Sequence, residues 1–378
     1  MILWLVQWLA PPDSPLRALE YITVRALLAG ASAFLLALLL GRRIIARLHT
    51  AGVAENAGAS DSAEVGRVAL AAGKHRTPTM GGVFWVSAIL CSTLVYANPG
   101  ELLVLLGAVL VVGMGAIGFM DDWIKWKHEH GRNGLSRSAK LLASLALTTY
   151  VAVSLWLIGE RTGRPEMCRI YLPVLKDLYA SPELLGAFGL PLFAVFTSFV
   201  ILATCHAANV TDGLDGLAAG SGLIAFLALT VAAYAVGHFV LADYLSLPFI
   251  PGAGEVAVLG AAAVGATLGF LWFNCHPAQI FLGDAGSLPL GALVGYLAIV
   301  SKQELALPLL AGVFVLEVGT SLLQILYFKL SGGRRLFRIA PLHHLYQLRG
   351  LPEQKIVARF WIGGAVSAAL GLLLIKVR

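Results

Sequence analysis

Five aspartates stand in short polar loops between long apolar runs, and their spacing is the first sign of chemistry. Asp121 and Asp122 are adjacent near the end of one run, with Lys125 and Lys127 just after them. A helix C-terminus disfavours negative charge, so two carboxylates there call for a metal, a proton or a bound cation. The plainer reading is a solvated pair neutralised by the two lysines. Asp212 and Asp215 lie in Asn209-Val-Thr-Asp-Gly-Leu-Asp-Gly-Leu-Ala, where a helical turn would set both on one face. Capping explains one such aspartate, but not two together with Asn209. Asp284 lies between Gly283 and Gly286, in the loop from Asn274 to Leu288, just ahead of the next run. An N-cap is its simplest role; that leaves Asn274, His276 and Phe281 without one. An aromatic such as Phe281, held at a loop surface, can stack on a nucleobase.

Cations and hydroxyls accompany these loops. Lys74-His-Arg-Thr-Pro-Thr-Met-Gly-Gly82 offers Lys74, the hydroxyls of Thr77 and Thr79, and two glycines at a helix start, a setting suited to phosphate; an ordinary basic loop before a capped helix is the alternative. Gly134-Leu-Ser-Arg-Ser-Ala-Lys140 brings Lys140 towards the Asp pair. Glu317 and Gln324 lie within an apolar run, where an ionisable group marks either a functional site or a pairing between helices. His343 and His344 stand in a basic loop, where they can bind phosphate or relay protons. Two motifs are set aside. Gly113-Met-Gly-Ala-Ile-Gly118 has dinucleotide-loop spacing, but it lies inside an apolar run with no strand before it, so close helix packing explains it better. His128-Glu-His130 reads as a solvated charged face. The four cysteines are scattered and make neither a disulfide framework nor a zinc site.

Carboxylates among phosphate-binding cations point to Mg²⁺, which bridges one or two carboxylates and substrate phosphates. The chemistry this suggests is phosphoryl transfer between a soluble activated donor and a membrane-borne acceptor. An ion-coupled transporter also carries aspartates in helices, but near the bilayer midplane and not at helix ends.

The elements that must position these groups are helices in a bilayer. The chain has 378 residues, 58% hydrophobic and only 13% charged; soluble domains are nearer 25% charged. Apolar runs at about 19–40, 82–97, 101–119, 140–158, 190–207, 215–236, 256–273, 288–301, 305–328 and 357–375 predict an all-α integral membrane protein of about ten transmembrane helices. One polytopic domain spans 1–378, with an interfacial segment at 1–18 anchored by Trp4 and Trp8, a flexible cytoplasmic linker at 50–73, and a cytoplasmic His-containing loop at 331–352. With both termini outside (periplasmic), 17 basic residues fall in inside loops and 8 outside, as the positive-inside rule requires. Every loop with unusual chemistry then lies on the cytoplasmic face. The basic balance belongs to those loops, and no nucleic-acid partner is expected.

Thr77-Pro-Thr-Met-Gly-Gly82, Asp121-Asp122 with Lys125, Asn209-x-Thr-Asp-Gly-Leu-Asp-Gly-Leu-Ala, Phe281-Leu-Gly-Asp-Ala-Gly-Ser-Leu288 and Phe337-Arg-Ile-Ala-Pro-Leu-His-His344 occur in order over about 74–350. Together they resemble the phospho-N-acetylmuramoyl-pentapeptide transferase family, within the polyprenyl-phosphate N-acetylhexosamine-1-phosphate transferase superfamily. The resemblance implies a Mg²⁺-dependent reaction of UDP-MurNAc-pentapeptide with undecaprenyl phosphate, giving lipid I and UMP, in the bacterial inner membrane during peptidoglycan synthesis. A homodimer is one assembly it leaves open. By the same resemblance Asp284 is the magnesium ligand, with Asp121 and Asp122 as further candidate ligands and as the pair that deprotonates or orients the lipid phosphate. Lys74, Asn209, Asp212 and Phe281 match the uridine region; Asp215, Asn274, Lys125, Lys140, Gln324 and His343 match other active-site positions. Three departures stand out: Leu345 replaces a third histidine, His75-Arg76 replaces a glycine-containing step, and 50–73 lacks the usual basic character. A UDP-N-acetylhexosamine donor is the nearest rival reading, and the Ala-Pro-Leu-His-His run argues against it.

Overall fold

The computed structural model describes residues 1–11, 13–53, 77–127, 134–173, 175 and 178–376. Lys74, His75, Arg76, the His128-Glu-His130 run and most of the 50–73 linker fall outside them.

Each of the ten apolar runs is helical. In chain order the helices are α1 (Ile2–Leu9), α2 (Ile22–Thr50), α3 (Gly82–Tyr96), α4 (Leu102–Lys127), α5 (Arg137–Thr162), α6 (Gly189–Thr211), α7 (Leu217–Gly237), α8 (Phe239–Tyr244), α9 (Ala253–Asn274), α10 (Asp284–Val300), α11 (Leu307–Leu310), α12 (Gly312–Leu330), α13 (Leu342–Leu348) and α14 (Glu353–Lys376). Among the described residues, eight helices are long and apolar enough to cross a membrane; α3 and α10 are apolar but shorter. At 1.5 Å per residue, the 17 residues of α10 reach only about 26 Å, less than a ~30 Å hydrocarbon core. Burial explains how α10 tolerates this. Every residue from Asp284 to Val300 is buried, so α10 meets other helices and not lipid. It packs on α3, α4, α6 and α7.

Helix contacts rest on small residues. Ala29, Ala33, Ala37 and Gly41 form a buried stripe on α2, and α2 packs on α9. There Gly265 lies so close to Gly30 that a Cβ would overlap the Gly30 carbonyl. With no hydrophobic drive between helices in lipid, such close backbone approach supplies the contact energy.

Successive helix ends gather at two opposite ends of the bundle. At one end, Arg25 of α2 makes a bidentate buried ion pair with Glu255 of α9 and donates to Tyr96 O at 3.0 Å. Nearby, Lys302 follows α10 with Nζ 2.6 Å from Met167 O and 3.2 Å from Arg169 O. Burial lowers the pKa of its amine. These bonds hold the α5–α6 connection, which includes a hairpin of β1 (Ile170–Tyr171) and antiparallel β2 (Tyr179–Ala180).

Three local expectations change. The helix carrying Asp121 and Asp122 does not close on them but runs on to Lys127, because Trp123, Ile124 and Trp126 continue a helix-compatible pattern. The 305–328 run is not one helix: Ala311, at φ −124° and ψ 39°, separates α11 from α12. Asp212 and Asp215 do not share a helical face. The helix ends at Thr211, Asp212 is its C-cap, and Gly216 takes a left-handed φ of 77° before α7 starts.

Candidate active site

At the other end of the bundle, loops distant in sequence are joined through their backbones. Gly81 N donates to Phe281 O at 2.9 Å, Gly82 N to Leu282 O at 2.9 Å, and Phe281 N to Pro78 O at 2.8 Å. The Thr77–Gly82 loop therefore runs against the Ile280–Gly283 segment as a short ladder. Gly82 and Gly286 touch so closely that a Cβ on Gly82 would overlap the Gly286 backbone.

This ladder sets the start of α10. Gly283 is the N-cap, with φ 69°, and its side-chain position is filled by Asp122 Oδ2 and Thr79 Oγ1. Asp284 is thus the first helical residue and not the cap. Its side chain makes no capping bond and turns towards α4, α5 and α6. Asn209 Nδ2 donates to Asp284 Oδ1 at 2.5 Å and to Ser287 Oγ at 2.9 Å. Lys125 Nζ stands 3.0 Å and Lys140 Nζ 2.6 Å from Asp284 Oδ2.

Asp121 and Asp122 close the cluster. Asp121 Oδ2 lies 2.6 Å from Lys125 Nζ and 3.0 Å from Lys140 Nζ, and its Oδ1 accepts from Leu135 N at 2.8 Å. Asp122 Oδ2 accepts from Ala285 N at 3.0 Å, and Oδ1 is 4.0 Å from Lys125. Lys125 pairs with Asp121 as the plainer expectation had it, but the two aspartates are buried instead of solvated, and Lys127 lies over the Trp123 ring. Lys140 adds a second cation, and the third carboxylate arrives from a helix 159 positions beyond Lys125. Oxygens of Asp121, Asp122 and Asp284 all lie within 4.8 Å of one another, and all three residues are buried. Fully ionised, the three carboxylates would outnumber the two ammonium groups, and the donor set is oxygen alone. That is the chemistry of a hard divalent cation such as Mg²⁺. Such a site also suits phosphate groups, whose charge the lysines can meet.

A second set of residues holds the adjoining turn. Asn274 accepts from Gly216 N at 3.0 Å and donates to Ile280 O at 2.8 Å, tying the 212–216 turn to the Phe281 loop. Asp215 Oδ2 accepts from Ala278 N at 3.1 Å and from His276 Nδ1 at 3.0 Å, while Asp215 N donates to Glu353 at 2.7 Å. Phe281 and Asp212 flank this region, each partly exposed.

Other expected residues lie apart from the three carboxylates. Gln324 is engaged with its own loop, accepting from Leu336 N and Phe337 N and donating to Phe337 O. His343 bonds Glu317 at 2.8 Å, and His344 bonds Gln347 at 2.8 Å. Leu345 is partly buried in α13 beside them. Ser287, Leu135 and Glu353 were not singled out in the sequence. Leu135 acts through its backbone, which carries no sequence signal. Ser287 could have been suspected from its place three residues after Asp284, and Glu353 reads from sequence only as a helix-start acid.

The glycosyl transferase family 4 model matches residues 102–302, which include α4 to α10 and all three clustered aspartates. Over 359 residues, 95% of this chain and 95% of the relative, the sequence is 38% identical to a phospho-N-acetylmuramoyl-pentapeptide-transferase of Desulfovibrio desulfuricans (strain ATCC 27774 / DSM 6949 / MB).

Proposed function

This chain belongs to the phospho-N-acetylmuramoyl-pentapeptide transferases of glycosyl transferase family 4, and on that premise we propose that it carries phospho-MurNAc-pentapeptide from UDP-MurNAc-pentapeptide to undecaprenyl phosphate. The products are lipid I and UMP, and the site faces the cytoplasm at the inner membrane of a bacterium. The observation that carries this reading is the meeting of Asp121, Asp122 and Asp284 with Lys125 and Lys140 at one end of an apolar bundle.

Asp284, with Asp121 and Asp122, would hold Mg²⁺. When bound, the ion neutralises charge on the phosphates of donor and acceptor. Lys125 and Lys140 approach the same phosphates and prevent mutual repulsion between two anionic substrates. Asn209 keeps Asp284 in place through Oδ1. A prenyl phosphate is already largely ionised near neutral pH, so its oxygen attacks the sugar-bearing phosphorus directly. One P–O bond forms to that phosphorus, the bridging P–O bond breaks, and UMP leaves with the electron pair. Asp121 and Asp122 orient the attacking phosphate. Phe281 stacks on uracil, with Lys74, Thr79, Asp212, Asp215 and Asn274 around the nucleotide.

The test is UMP release from purified protein with Mg²⁺ and undecaprenyl phosphate, supplied with either UDP-MurNAc-pentapeptide or UDP-N-acetylglucosamine. Release with the first donor is expected. Product from the second donor alone overturns the reading.

A further inference from the structure

Glu317 of α12 and His343 of α13 are both fully buried, and His343 Nδ1 lies 2.8 Å from Glu317 Oε2. With Glu317 as a carboxylate, which can only accept, Nδ1 carries the hydrogen of this contact. Nε2 is buried and has no hydrogen-bond partner among the described residues. It points at Gly213, where an added Cβ would overlap it. Gly213 is the exposed middle of the turn from Asp212 to Asp215, and its own N–H donates to Thr211 O at 2.8 Å. The imidazole is therefore a strut beneath that turn, lying on the side away from solvent. A hydrogen on Nε2 would point into the space beside Gly213 and would lack an acceptor among the described residues, so Nε2 is the ring nitrogen left bare.

We propose that Glu317 is a positioning residue: by holding His343 in the Nδ1–H tautomer, it lets the bare Nε2 pack against Gly213 and so sets the Asp212–Asp215 turn that receives the nucleotide donor. The donor half of this statement rests on the function proposed above; the tautomer half does not. His343 then acts through the turn, and glycine at 213 is part of the same device.

The experiment uses the full chain with ¹⁵N-labelled histidine and three variants, Glu317→Leu, Glu317→Gln and Gly213→Ala. His343 is assigned in the ¹⁵N spectrum by its loss in His343→Asn. In the wild type, Nδ1 gives a protonated-type signal and Nε2 an unprotonated one. Glu317→Leu is expected to exchange them or average them, and to raise KM for UDP-MurNAc-pentapeptide about tenfold with kcat changed less than about threefold. Glu317→Gln keeps an amide oxygen that accepts from Nδ1–H, so it restores both the signal pattern and KM. Gly213→Ala gives the KM effect with Glu317 and His343 unchanged. A fall in kcat at unchanged KM in Glu317→Leu overturns the proposal, because His343 then acts on the reacting groups. Failure of Glu317→Gln to restore KM also overturns it, since charge and not orientation then matters. Should Glu317→Leu not fold, the Gln and Gly213→Ala variants decide alone. A wild type inactive on every UDP-sugar overturns the donor half, and the ¹⁵N pattern then decides the tautomer half.

Discussion

Asn209 Nδ2 donates to Asp284 Oδ1 at 2.5 Å, which fixes one oxygen of the carboxylate and leaves the other to the ammonium groups of Lys125 and Lys140. The two oxygens of Asp284 thus have different work. Asp284→Asn keeps the shape but places an NH₂ against either a donor amide or two cations. Turnover is expected to fall by at least about 10²–10³-fold, the scale seen when one preorganised electrostatic group is lost. UMP release measures the loss, and an unchanged thermal unfolding curve shows the fold is intact.

The effect of removing the divalent ion follows from the three clustered carboxylates. A chelator should abolish turnover and Mg²⁺ should restore it, because the three candidate ligands offer oxygen only. Asp122→Asn should raise the Mg²⁺ concentration needed for half-maximal rate. A Mg²⁺ titration of both proteins reads this directly, and equal requirements would remove Asp122 from the ion.

Gly283 has φ 69°, and a Cβ there would lie 2.5 Å from Asp122 Oδ2 and 2.8 Å from Thr79 Oγ1. Gly283→Ala should therefore displace Asp122 as well as strain the backbone by about 1–3 kcal/mol, since φ 69° with ψ 177° is a conformation open essentially to glycine alone. A loss of turnover of tenfold or more, with a far smaller change in thermal stability, is expected from parallel activity and unfolding measurements.

The Arg25–Glu255 pair predicts a different pattern. Glu255→Ala leaves a buried guanidinium without its partner, at a cost of about 3–5 kcal/mol. The double variant Arg25→Met/Glu255→Leu should recover most of this, since apolar replacement of both partners removes the stranded charge. Detergent-solubilised thermal unfolding distinguishes the two. Residual turnover per folded molecule should stay near the wild-type value in both.

The helices were legible because a bilayer leaves the chain little choice: a long apolar run either forms a helix or strands its backbone. That logic located all ten runs, but it reads positions along a segment and not partners across the bundle. Asp121, Asp122, Lys125, Lys140, Asn209 and Asp284 could be singled out by type and by their place at helix ends. Their convergence on Asp284 could not, since it depends on the Phe281–Gly81 ladder between segments some 200 residues apart. The shared helical face expected for Asp212 and Asp215 failed for a local reason. The helix already stops at Thr211 with Asp212 as its C-cap, and the left-handed Gly216 caps the start of α7, so the two aspartates bracket a non-helical turn. Lys74, in the same phosphate-binding expectation as Thr79, lies outside the described residues.

The bidentate Arg25–Glu255 pair and the Lys302 clasp lie at the end of the bundle away from the aspartates. Neither can be exchanged for water without exposing a buried charge, so that end behaves as a foundation. The aspartate end combines the Phe281–Gly81 backbone ladder with lysine–carboxylate contacts for which an anion can compete. The mouth of the bundle therefore rests partly on contacts open to competition by a charged ligand, while the far end is anchored by buried pairs inside the elements they join.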